Sequence, residues 1–112
     1  MITSNSFAGQ SLNIVEIAIL AKCLLEEAWI KCLTSLAHRF ELQQIPLEEK
    51  LMLEEMYTSF FYDAYYAPVK TTRHIQALLQ NTRRMLDMLK ATDEAAWRNI
   101  ICLNPYGNSK QK

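Results

Sequence analysis

The segment EEMYTSFFYDAYYAP, Glu54 to Pro68, decides how the chain is read. Six of the ten residues from Tyr57 to Tyr66 are aromatic, four of them tyrosine. At about 100° per residue, Leu53, Met56, Tyr57, Phe60 and Ala64 share one helical stripe, with Phe61 beside it. That stripe reads as the core face of a helix. Tyr62 and Tyr66 fall roughly opposite, on the same side as Leu51 and Met52. One helix cannot bury both sides against one neighbour, so the second side is either covered by another element or exposed. An exposed tyrosine-bearing face suits a contact surface, because the ring supplies area while the hydroxyl tolerates water.

The prolines frame this helix. Pro46 suits a first turn, where its missing N–H costs nothing. Glu48 and Glu49 then sit at the positive end of the helix dipole. Pro68 disfavours helical geometry at Ala67, which places the end near Tyr66.

Before it, Asn13 and Glu16 have capping-box spacing, with Ser11 as the alternative cap. A first helix runs from there to about Gln43, long enough that a break near Thr34 and Ser35 is considered. It is apolar nearly all round. Ile14, Val15, Ala18, Leu25, Trp29, Leu33, Leu36 and Phe40 form one wide stripe; Ile17, Leu20, Ala21, Leu24 and Ala28 form another. Either three other helices cover both stripes or the second, through Ile17, Leu20 and Leu24, is a candidate dimer seam, a C2 dimer being the commonest way to cover such a face.

After Pro68, a third helix starts at Thr71 or Thr72 and runs to Lys90. Its apolar stripe is Ile75, Leu78, Leu79, Thr82, Met85, Leu86 and Leu89, with Arg73, Gln76, Gln80, Arg83, Arg84 and Asp87 on the other side. Thr92 is the expected cap of a fourth helix ending near Leu103. Residues 1–10 and 105–112 read as flexible tails around one domain over 11–104.

Composition agrees with an all-α fold. The chain has 112 residues, half of them apolar, and only two glycines and three prolines. An all-β fold needs more turn residues than that. The expected architecture is a compact four-helix bundle-like domain with a long first helix.

Several functions are disfavoured. Net charge is zero, so no global field attracts nucleic acid. The rival nucleic-acid or acidic-partner face is Arg73, Arg83 and Arg84, but the preceding acidic helix would meet phosphates poorly. Three cysteines without tight spacing, Cys23, Cys32 and Cys102, give neither a disulfide framework nor a metal site. His38 and His74 lack the Glu-x-x-His spacing of a di-iron bundle, and His38 with Glu41 reads as a surface ion pair. The glycines, Gly9 and Gly107, lie in the tails and form no phosphate loop. Neither catalysis nor a cofactor is expected. Ile14 to Leu25 carries Glu16 and Lys22 and is too short to span a bilayer, so a membrane role is not expected. The expectation is a cytoplasmic protein–protein interaction module, of chaperone, adaptor or inhibitor type, that binds a protein partner or itself through Leu51, Met52, Tyr62 and Tyr66.

Overall fold

The computed structural model describes residues 13–103. Four helices follow in order: α1, Ile14–Glu41; α2, Leu47–Tyr65; α3, Thr72–Thr92; and α4, Glu94–Leu103. The expected flexible tails, 1–10 and 105–112, lie outside the described residues, as does the alternative cap Ser11.

Local chemistry sets the helix ends. The Asn13 side chain accepts from Glu16 N at 2.8 Å, and Glu16 Oε1 accepts from Asn13 N at 3.0 Å, a complete capping box. α1 then continues unbroken for 28 residues. The break considered at Thr34 and Ser35 is absent. Thr34 returns its hydroxyl to Ile30 O at 2.9 Å, and Ser35 is buried on the core side, so tertiary packing holds the segment helical.

The α1–α2 turn closes without glycine. Gln43 N donates to Phe40 O and Gln44 N to Arg39 O, both at 2.9 Å, which satisfies the last carbonyls of α1 as a Schellman motif does. The motif needs a left-handed residue, and Gln43 takes it at φ 62°. Pro46 is the N-cap of α2 rather than its first-turn residue. Thr71 caps α3 by accepting from His74 N at 3.2 Å. Thr92 does not cap α4, contrary to expectation. It stays helical at the end of α3, bonding back to Met88 O, while Asp93 accepts from Ala96 N at 3.1 Å. The carboxylate one residue later reaches the free donors of α4.

The core seam of α1 is Ala18, Ala21, Leu25, Ala28, Cys32 and Ser35, all buried and spaced alternately three and four residues apart. Its small residues let α3 come close. The Thr82 hydroxyl donates to Leu78 O of its own helix at 2.8 Å and lies 3.4 Å from Ala21 O of α1. Ala21 and Ala28 therefore belong to the core and not to the second stripe. Around them Leu25, Leu36, Met85 and Leu89 are fully buried. Each contributes roughly 1.5–3 kcal/mol of apolar burial. Ile45 closes the hairpin end and Ile100 the α4 side.

The register of α2 differs from the sequence reading. Tyr57, Phe61 and Ala64 are its buried residues; Leu53 and Phe60 are partly buried and Met56 is exposed. The stripe is rotated toward Phe61 because that ring meets Trp29. On α3 the expected stripe holds except for Leu79, which is exposed at its edge.

The architecture is a flattened four-helix bundle. Its Cα atoms span 51 by 39 Å but only 15 Å in the third direction. Two stacked helices, about 8–10 Å apart with Cα cylinders of about 2.3 Å radius, already fill that thickness. α1 therefore cannot be covered all round. Val15, Ile19, Leu20 and Ile30 stay exposed on it.

Candidate functional site

α1 and α2 run antiparallel about their short turn. Lys50 meets Phe40, Thr58 and Phe61 meet Trp29, and Tyr65 meets Lys22. This pairing assembles the aromatic segment into a connected cluster. Trp29 and Phe61 stack with centroids 4.1 Å apart and planes 5° from parallel. Trp29 Nε1 donates to Thr58 Oγ1 at 3.3 Å, which fixes the indole in plane. Tyr62 leans on both rings, 6.1 Å from Trp29 and 5.6 Å from Phe61. Tyr65 lies 4.9 Å from Phe61, with the Lys22 ammonium 5.2 Å over its ring. Tyr66 meets Tyr62 edge-on at 5.8 Å and Tyr65 at 5.0 Å. The Trp29–Phe61 stack contributes about 0.5–1.5 kcal/mol beyond area burial, and the solvent-exposed ring pairs of Tyr66 contribute less.

The cluster grades from core to surface. Phe61 is 4% exposed, Tyr62 51% and Tyr66 72%. Tyr62 is thus backed by Trp29 and Phe61, and Tyr66 by Tyr62 and Tyr65, while their outer faces meet water. A side chain already fixed in one rotamer loses little entropy on binding, which favours its use as an anchor.

The sequence-derived contact residues fall as follows. Leu51 and Tyr62 line one shallow groove along α2, with Thr58 and Ser59 between them and Glu54, Glu55 and Asp63 at its margins. Tyr66 joins through its ring contact with Tyr62. Met52 is exposed but lies outside the groove lining, about a quarter turn around the helix from Leu51. Leu47 and Leu51 extend the exposed apolar surface toward the start of α2.

The three seam residues of α1 separate. Ile17 and Leu24 are partly buried against the core, while Leu20 is exposed. On α3, Arg73 and Arg83 line a second shallow groove with Gln76, Ala77, Leu79 and Gln80. Arg84 is exposed but lies off that groove.

Trp29, Lys22 and Tyr65 are the members that the sequence reading missed as part of this surface. Their signal was available. In an antiparallel hairpin, residues equidistant from the turn face one another, and Trp29 and Phe61 are equidistant from Ile45.

Two ionisable side chains, Cys32 and Tyr57, lie in the core. Burial pushes the Cys32 thiol up to about 11. Burial also raises Tyr57, reinforced by Cys32 and opposed by Arg39. All three cysteines are free, and Cys23 is the exposed one. His38 is exposed, and the expected His38–Glu41 ion pair does not form. His74 Nδ1 accepts from Lys70 N at 2.9 Å and closes the turn before α3. Among the described residues no three His, Cys, Asp or Glu side chains come together as a metal site would require, and no helix is long and apolar enough to cross a membrane.

No family model, no curated protein and no solved structure matches the chain.

Proposed function

We propose that this protein is a protein–protein interaction module, of adaptor, chaperone or inhibitor type, whose binding face is the aromatic side of α1 and α2. One observation carries the reading. Tyr62 stands half exposed against Trp29 and Phe61, and Tyr66, more exposed still, packs edge-on against Tyr62 and Tyr65, so connected ring area faces solvent here. Tyrosine and tryptophan are enriched where protein surfaces bind one another. The contact residues are Leu51, Tyr62 and Tyr66, with Met52 at the margin.

The test is a photo-crosslinking residue placed at position 66 and, separately, at position 34 on the far side of α1, in the cells that make the protein. A polypeptide adduct at 66 that is absent at 34 and lost in Tyr62→Ala supports the reading. Equal labelling at both positions, or none at 66, overturns it.

A second reading is favoured by Arg73 and Arg83 sharing a groove with Gln76 and Gln80, residue types that contact phosphates and base edges. Binding of a nucleic acid that weakens steeply with salt, and further on Arg73→Ala with Arg83→Ala, would support it.

A further inference from the structure

The two charged helices do not neutralise each other within one molecule. α2 exposes Glu48, Glu49, Glu55 and Asp63; α3 exposes Arg73, Arg83 and Arg84. The ion pairs among the described residues are Lys50–Glu54 and Arg98–Glu94, each within a single helix. A chain with no net charge thus carries an acidic face and a basic face on consecutive helices, and no ion pair joins them.

Each face is a shallow depression on the outer side of a single helix. The α2 groove runs between Leu51 and Tyr62 with Glu55 and Asp63 beside it. The α3 groove holds the exposed Leu79 between Arg73 and Arg83. Glu55 and Asp63 are about 12 Å apart along a helix axis, and Arg73 and Arg83 about 15 Å, at 1.5 Å per residue. The flexible arginine stems take up the difference. The α2 face carries apolar side chains among mainly acidic ones, and the α3 face carries Leu79 among mainly basic ones, with Asp87 the exception, so the predominant signs are opposite.

We propose that these faces dock on each other between two copies of the chain, the α2 groove of one copy taking the α3 face of the second and the reverse. This rests on the reading of α2 as a contact surface and names a second copy as the occupant of its groove. Reciprocal use of both faces closes a two-fold dimer, the arrangement that leaves no free end to propagate. A helix face about 28 Å long and about 10–12 Å wide presents roughly 300 Å². Four such faces bury about 1,200 Å², the lower end of specific interfaces. The association is therefore weak, and its charged rim makes it salt-dependent.

Sedimentation equilibrium of the full chain tests this. A dimer is expected at about 50 mM salt and a monomer at about 500 mM, where screening is short-ranged. Glu55→Lys with Asp63→Lys, and separately Arg73→Glu with Arg83→Glu, should each weaken self-association at least tenfold. All four side chains are exposed, so circular dichroism should be unchanged. Mixing the two charge-reversed proteins should restore a dimer, seen as the mixed mass in native mass spectrometry, because every acidic face again meets a basic one. A wild type that is monomeric at low salt, a dimer that survives both reversals, or a mixture that stays monomeric would overturn the proposal. The crosslink from position 66 to a different polypeptide would be unaffected by that failure, so the two readings fail separately.

Discussion

The indole of Trp29 and the ring of Phe61 lie face to face, 4.1 Å between centroids, and this contact sets the rotation of α2 on α1. It draws Phe61 inward to 4% exposure and leaves its sequence neighbour Phe60 only partly buried. Tyr62, the next residue along, is turned outward by the same rotation. The core and the candidate binding face are thus two consequences of one stacked pair.

Phe61→Ala should consequently cost about 3–5 kcal/mol, the range for emptying a core aromatic site. Phe60→Ala should cost less than half as much. Urea unfolding of the two variants checks this, and equal losses would refute the register.

Tyr66→Ala should change stability by no more than about 0.5 kcal/mol, because the ring is mostly in solvent. Tyr62→Ala should cost about 1 kcal/mol through its contacts with Trp29 and Phe61. The double variant should still melt cooperatively. Loss of folding in that variant would show the two rings to be core and remove the contact surface.

Gln43→Gly should stabilise the protein. Gln43 occupies the left-handed region at φ 62°, where a side chain costs about 1–2 kcal/mol that glycine avoids. Greater freedom of glycine in the unfolded chain offsets part of the gain, leaving a rise in Tm of a few degrees. Gln43→Val, branched at Cβ, should lower Tm. Thermal melts of the pair decide the matter.

Cys32 gives stability a dependence on alkaline pH. Its thiol titrates at its ordinary value of 9.0 when unfolded and at about 11 when folded. Below about 9 both states are protonated and the contribution of the buried thiol is complete. As pH rises through that window the unfolded chain ionises first, so stability falls until the folded thiol also titrates. Melting between pH 8 and pH 11 should show the decline, and Cys32→Ala should flatten it. Some slope should remain from Tyr57, which burial raises in the same direction. At pH 8 a thiol reagent should label the exposed Cys23 well before Cys32.

Much of the helical layout was legible in the chain. The capping box at Asn13 and Glu16, the break at Pro46 and the stop before Pro68 are local signals, and each acts within one turn of backbone. The face of α3 was also legible, because its apolar and charged residues separate cleanly around the helix. Gln43 was not, since its left-handed turn is imposed by the hairpin and carries no glycine to mark it.

Sequence by itself determined that four helices form and where most of them begin and end, because capping, proline geometry and helical periodicity act over a few residues. Only tertiary structure decided which side of α1 and α2 faces inward. Both helices are apolar on more than one side, so periodicity leaves their rotation open. Contacts far apart in the chain settle it: Thr82 against Ala21 draws the alanine seam inward, and Trp29 against Phe61 turns Tyr62 and Tyr66 to the surface. The flattened packing then leaves the remaining apolar sides of both helices in contact with water, because a slab this thin cannot surround either helix.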